Sequence, residues 1–160
     1  MKNLYVPSTP APVHKKVVLY VEDDPLNREV TRDRLCKKYE VFLASNDIEA
    51  CIMLNRMQSD LDIILMDIEL KGSTLDGLQL VSLLRGKLDR NGIPGYAKQM
   101  PILTRPVIIL VTAFTERFSK QDILQTGADK LITKPIDFVE LEMAMTQMHI
   151  QKARSRDIPS

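Results

Sequence analysis

Net charge, cysteine and long apolar runs are all scarce in this sequence, and each shortage removes a class of protein. Lysine and arginine number 22 against 21 acids, a net charge of +1, so no overall field draws the chain to nucleic acid or an anionic membrane. Two cysteines, Cys36 and Cys51, are too few for a disulfide framework. Both fall in stretches that read as helices, which predicts reduced thiols in a cytosolic protein. His14 and His149 lie near opposite ends, and neither has a second ligand at metal spacing, so both are expected on the surface. No stretch approaches the roughly 18–20 apolar residues of a membrane span. Residues 1–16 carry three prolines and no apolar secretory core, which predicts a cytoplasmic location. Glycine-rich dinucleotide fingerprints are also missing. What is left, 44% hydrophobic and 27% charged over 160 residues, suits one globular domain with a real core.

Short apolar runs alternate with helical patterns. Val17–Val21 reads as a strand buried on both faces. Asp24-Pro25 then supplies an N-cap and a proline at the first helical position, with Leu26, Val30 and Leu35 as the apolar stripe. Glu40–Ala44 is a second strand. Asn46 and Glu49 form an expected capping box for a helix carrying Ile48, Ile52 and Met57. Asp62–Met66 is a third strand ending at Asp67, followed by a loop with Gly72 and a helix through Leu78, Val81, Leu84 and Leu88. Val107–Val111 is a fourth strand ending at Thr112. A helix over 116–125 stops at Gly127, as a C-terminal glycine would. Lys130–Thr133 is the fifth strand, and Asp137 with Glu140 opens a last helix bearing Phe138, Leu141, Met145 and Met148. Segment 89–105 breaks the rhythm, being long enough to be functional, mobile or locally structured. Residues 1–14 and 150–160 are predicted tails around a domain at 15–149. Five strands alternating with helices predict an α/β fold with a five-stranded parallel sheet between two helical layers.

In such sheets ligands bind outside the carboxyl ends of the strands. Those ends are Glu22-Asp23-Asp24, Asp67, Thr112 and Lys134. Crowded carboxylates repel one another. A hard divalent cation such as Mg²⁺, which takes oxygen ligands, resolves that, and Lys134 adds positive charge. A phosphoryl group then becomes welcome: Asp67 is placed to attack phosphorus, metal and lysine to stabilise the transferring oxygens, and Thr112 to donate a hydrogen bond. Each residue alone has an ordinary reading, as a cap, a loop acid, a polar strand end or a turn. Their joint occurrence in this order carries the argument.

At these residues the sequence resembles the receiver domain of two-component response regulators over about residues 15–149. The matching motifs are VVLYVEDD (17–24), IILMDI (63–68) with Asp76-Gly77 after it, ILVTA (109–113) and GADKLITKP (127–135). The resemblance implies a flavodoxin-like (βα)5 fold, with Asp67 as phosphoacceptor and Mg²⁺ or Mn²⁺ held by Asp23, Asp67 and the Glu69 backbone carbonyl. Glu22 acts through water, leaving Asp24 free to cap. It further implies Lys134 as the phosphoryl-contacting lysine before a cis proline, and Thr112, Ala113 and Leu131 as switch positions. The implied protein is a cytoplasmic signalling switch, catalysing only its own phosphotransfer and dephosphorylation. Its donor is a histidine kinase or histidine phosphotransfer protein, and its output an unknown downstream protein. Neither membrane nor direct nucleic-acid binding is expected.

The chain departs from the family pattern at four places. The loop before Asp76-Gly77 contains KGST where a shorter proline-bearing turn is usual. Leu131 replaces a common aromatic. Glu69 and Phe114 occupy positions that tune phosphoryl lifetime. Segment 89–105 has no usual counterpart, and Arg85, Lys87, Arg90, Lys98 and Arg105 around it read either as a basic docking patch or as ordinary solvated charge. Alternatives include a phosphorylation-independent interaction module on the same fold and a flavin-binding protein, which the acidic first loop disfavours. A haloacid-type phosphatase is a third, with Glu69 as the acid two residues after Asp67.

Overall fold

A computed structural model describes residues 14–113 and 115–156. Phe114, the first 13 residues and the last four, including those parts of both predicted tails, lie outside the described residues. The elements run β1 (Lys16–Val21), α1 (Pro25–Leu35), β2 (Tyr39–Ala44), α2 (Asp47–Met57), β3 (Ile63–Asp67), α3 (Gly77–Leu84), β4 (Val107–Thr112), α4 (Lys120–Gln125), β5 (Lys130–Thr133) and α5 (Phe138–Arg156). The five strands form one all-parallel sheet in the order β2-β1-β3-β4-β5. Since β2 lies on one side of β1 and β3 on the other, the winding reverses between β1 and β3.

Side-chain alternation splits the core in two. Leu19, Val21, Ile64, Met66, Ile108 and Leu110 pack with residues of α2, α3 and α4 on one face. Val18, Tyr20, Ile63, Leu65, Val107 and Ile109 pack with Leu35 of α1 and with Leu141, Ala144 and Met145 of α5 on the other. β3 and β4 are buried along their whole length, which is why their sequences are continuously apolar.

Several local expectations need correction. On α1 the residues facing the sheet are Thr31 and Leu35, while Leu26 and Val30 are 68% and 49% exposed. On α2 the buried face is Ala50, Cys51 and Leu54, and Ile48 and Ile52 point outward. Helix phase is set by the caps and connections, and periodicity alone did not choose the right stripe. Asn46 caps α2 through the Glu49 amide, but Glu49 turns to the Ser45 amide and hydroxyl instead of closing the box. α3 ends at Leu84, and Gly86 follows with φ +68°, so Leu88 packs from outside the helix. Ser119 starts α4 late, behind a separate 3₁₀ turn at Thr115–Arg117. α5 continues to Arg156 in place of a tail from residue 150. Its end is tied down where Lys152 donates to the Thr104 and Pro106 carbonyls and Arg156 to that of Arg105.

Segment 89–105 is packed. It forms a 3₁₀ turn at Gly95–Ala97 and buries Ala97, Met100 and Leu103. Two of the basic residues expected to face solvent instead staple this region. Arg85 donates to the carbonyls of Leu103, Pro106 and Gly127 and pairs with Asp129 at 3.0 Å. Arg90 donates to the carbonyls of Lys98 and Met100. Backbone carbonyls without intra-element partners need donors, and a guanidinium serves several at once.

Candidate functional site

The winding reversal puts the ends of β1 and β3 side by side, where α/β sheets open a crevice. An open cleft of about 480 Å³ lies there, lined by Asp23, Asp24, Pro25, Asn27, Asp67, Glu69, Lys71, Ala113 and Lys134. Carboxylate oxygens of Glu22, Asp23 and Asp67 all lie within 4.8 Å of one another. Lys134 Nζ reaches Glu22 Oε1 at 2.6 Å and Asp67 Oδ2 at 3.0 Å. Four residues separated by up to 112 positions therefore meet in one place.

Local structure explains each position. Backbone pairing carries β1 past Val21, since the Glu22 amide donates to the Ala44 carbonyl. Asp24 caps α1 through the Asn27 amide, so the chain turns and leaves Asp23 half-buried at the cleft. Arg28, one turn into α1, donates to the carbonyls of Glu22 and Asp23 at 2.7 Å each and fixes that turn. Asp67 is the last residue of β3, paired in register with Val111. Lys134 follows β5, its amide donating to the Thr112 carbonyl, and the Lys134–Pro135 bond is cis. Thr112 is buried at the end of β4, and Ala113 beside it is exposed at the rim. Leu131 is not at the cleft. It sits partly buried on β5 with Phe118 and Ile123, on the surface toward α4.

Gly77 has a steric role here. Its amide donates to the Ile68 carbonyl at 2.8 Å, and a Cβ on it would lie 2.0 Å from the Asp67 carbonyl oxygen. Only glycine lets the N-terminus of α3 come this close to the strand that presents Asp67.

The electrostatics are those of a site short of positive charge. Burial, then the neighbouring Glu22, push the Asp67 carboxyl up to about 8, with Lys134 pulling the other way. Burial opposes charge on Glu22 too, but the Asp67 carboxyl and the Lys134 ammonium hold it below the usual carboxylate range. Burial likewise opposes charge on Lys134, and the two carboxylates outweigh it, so its ammonium is held more firmly than usual. Glu22 Oε2 is buried and has no hydrogen-bond partner among the described residues. Three carboxylates against one ammonium, with one buried oxygen unsatisfied, fit the oxygen-only, charge-rich environment that a hard divalent cation takes.

Three features of the cleft carried no signal in the sequence. Lys71 donates its amide to Asp23 Oδ2 at 3.1 Å, bringing the loop after β3 onto the acidic pair. Arg117 pairs at 2.9 Å with Glu69, which lines the cleft. Asp47, buried at the start of α2, accepts the amides of Thr74 and Leu75 in that same loop. Each is a backbone or long-range contact, invisible to local pattern.

Comparison with known proteins gives one answer. The family model described as "Response regulator receiver domain" matches residues 18–146. The chain is 32% identical over 122 residues to the polar-differentiation response regulator DivK of Brucella anthropi, covering 76% of this chain and 85% of DivK. Among solved structures, the Ssk1 receiver domain of Saccharomyces cerevisiae, crystallised with the histidine phosphotransfer protein Ypd1, superposes with a TM-score of 0.67. It shows 27% identity, covering 88% of this chain and 92% of that one. The receiver domain of sensor histidine kinase PA1611 from Pseudomonas aeruginosa, with magnesium in its active-site cleft, gives 0.63 and 26%, covering 84% and 98%.

Proposed function

Because this chain belongs to the response regulator receiver domain family of two-component signalling, we propose that Asp67 is its phosphoacceptor and that Asp23, Asp67 and the Glu69 carbonyl hold a Mg²⁺ or Mn²⁺ ion. Glu22 contacts that ion through water. The single observation that carries the reading is the meeting of Glu22, Asp23 and Asp67 with the Lys134 ammonium at one sheet edge. When bound, the metal supplies positive charge against the phosphoryl oxygens and lowers the proton affinity of Asp67.

The residues then divide the work. Asp67 attacks phosphorus through a carboxylate oxygen, the bond from phosphorus to the donor imidazole breaks, and the imidazole leaves with its electron pair. Lys134 already bridges Glu22 and Asp67, so its charge neutralises a phosphoryl oxygen with little rearrangement. Thr112, at the end of the adjacent strand, offers its hydroxyl to the same group and Ala113 leaves room for it. Moving Thr112 shifts β4 and the surface at α4 and β5, where Leu131 lies, and a downstream protein reads that surface. The donor is a histidine kinase or a histidine phosphotransfer protein, the latter being what is bound to the Ssk1 receiver domain. No helix among the described residues is long and apolar enough to cross a membrane.

The test is modification by acetyl phosphate or phosphorylated histidine phosphotransfer protein with Mg²⁺, read by mass on wild type and Asp67→Asn. Labelling is expected on wild type alone. Equal labelling of both would refute the assignment and favour an interaction module that does not use phosphorylation.

A further inference from the structure

Segment 89–105 reaches the loop after β3 through one side chain. Tyr96 lies in its 3₁₀ turn, 36% exposed, with its hydroxyl donating to Asp47 Oδ2. Asp47 is 2% exposed. The same Oδ2 accepts the Thr74 amide at 3.1 Å and the Leu75 amide at 3.0 Å, and Oδ1 accepts the Ile48 amide at 3.0 Å. The Asp47 amide in turn donates to Ser73 Oγ at 3.0 Å. One buried carboxylate thus ties three segments together: the start of α2, the KGST loop and the inserted segment. The other end of that loop carries Glu69 at the cleft and donates the Lys71 amide to Asp23 Oδ2 at 3.1 Å.

We propose that segment 89–105 is a brace for the metal-binding cleft, with Tyr96 as a positioning residue that acts through Asp47 on the loop bearing Glu69 and Lys71. This rests on the reading of the cleft as a divalent-cation site. Without the proline-bearing turn usual in the family, the loop contains Gly72 at φ +78° with nothing within 4 Å of where its Cβ would be, and one turn bond, from the Ser73 amide to the Leu70 carbonyl at 3.1 Å, closes it from within. Further stiffness comes from outside, by satisfying the Thr74 and Leu75 amides on a carboxylate that a tyrosine holds in place. Groups that orient a ligand's own partners shift metal affinity by about 10- to 100-fold when removed. Tyr96 is one contact further out, so a smaller factor, about three- to tenfold, is expected for the loss of its hydroxyl.

The experiment measures Mg²⁺ affinity by isothermal titration calorimetry on the full chain for wild type, Tyr96→Phe, Val107→Ala and Asp67→Asn. It also follows amide hydrogen exchange at Lys71, Thr74 and Leu75 without metal. Val107 is buried at the opposite end of the sheet, so its truncation lowers stability without touching the loop. Tyr96→Phe is expected to weaken Mg²⁺ binding by about three- to tenfold and to speed exchange at those three amides, while Val107→Ala binds Mg²⁺ as wild type does. Unchanged affinity in Tyr96→Phe, or an equal loss in Val107→Ala, would overturn the brace. If wild type binds Mg²⁺ no better than Asp67→Asn, the metal reading fails and the brace with it.

Discussion

Replacing Asp67 by asparagine should make the metal-free protein more stable, increasingly so as pH rises from 5 to 8. Asp67 is 4% exposed, and burial with Glu22 alongside moves its carboxyl from an ordinary 3.8 to about 8. Between those values the folded protein keeps a proton that the unfolded chain has released. Stability therefore falls as pH rises through this window. At about 1.4 kcal/mol per tenfold change in proton affinity, the ionised carboxylate costs up to about 5 kcal/mol at pH 8. The variant's amide oxygen can still accept from Lys134 but carries no charge, and the site relaxes, so a gain of roughly 2–3 kcal/mol is the realistic expectation. Glu22 is held below its ordinary range and Lys134 above its own, so neither titrates between pH 5 and 8. His149, whose proton affinity burial lowers, is common to both proteins and cancels. The chain contains no tryptophan, so urea melts in EDTA would be followed by far-ultraviolet circular dichroism at pH 5, 6, 7 and 8. A gap of the opposite sign, or one that stays flat across that range, would refute the electrostatic account.

Further outcomes follow from the same geometry. Mg²⁺ at 100 times its dissociation constant should stabilise wild type by about 2.7 kcal/mol, and leave the melting temperature of Asp67→Asn almost unmoved; equal shifts would count against the acidic cluster as the binding site. Gly77→Ala should destabilise by roughly 1–3 kcal/mol, because the new methyl would meet the Asp67 carbonyl oxygen; chemical denaturation checks this. Lys134→Ala should largely abolish labelling by acetyl phosphate while retaining a folded circular dichroism spectrum, since the ammonium is the cation shared by Glu22 and Asp67. Arg85→Ala should cost roughly 2–3 kcal/mol, as it removes the donor to the Leu103 and Gly127 carbonyls while Lys152 still serves the Pro106 carbonyl and Asp129, with loss of protection at segment 89–105 in hydrogen exchange.

Strand identity and order along the chain were legible because β3 and β4 are buried on both faces and must be continuously apolar. Legible for the same reason were the polar residues that interrupt those runs, since an acid, hydroxyl or ammonium at the end of such a strand has only the crevice to enter. Helix faces were less legible. Leu26, Val30, Ile48 and Ile52 look like core and are exposed, because a helix with apolar residues around much of its girth has no single phase until it docks. The arginines near segment 89–105 read as surface charge, yet Arg85 is almost enclosed, because nothing local marks which carbonyls will need a donor.

Covalent order alone determined which chemical groups the protein owns and where each strand delivers one: Asp23 after β1, Asp67 as the last residue of β3, Thr112 as the last of β4, Lys134 after β5. Alternation of apolar runs with capped helices was enough to require a parallel sheet, and a parallel sheet sends those groups to one edge. Tertiary structure decided the rest: the winding reversal that sets β1 beside β3, the 2.6 Å and 3.0 Å reach of Lys134, the unsatisfied Glu22 oxygen, and the hold of Tyr96 and Asp47 on the loop over the cleft. These depend on distances between segments far apart in the chain, and Coulomb and hydrogen-bond energies are set by such distances, which local pattern does not encode.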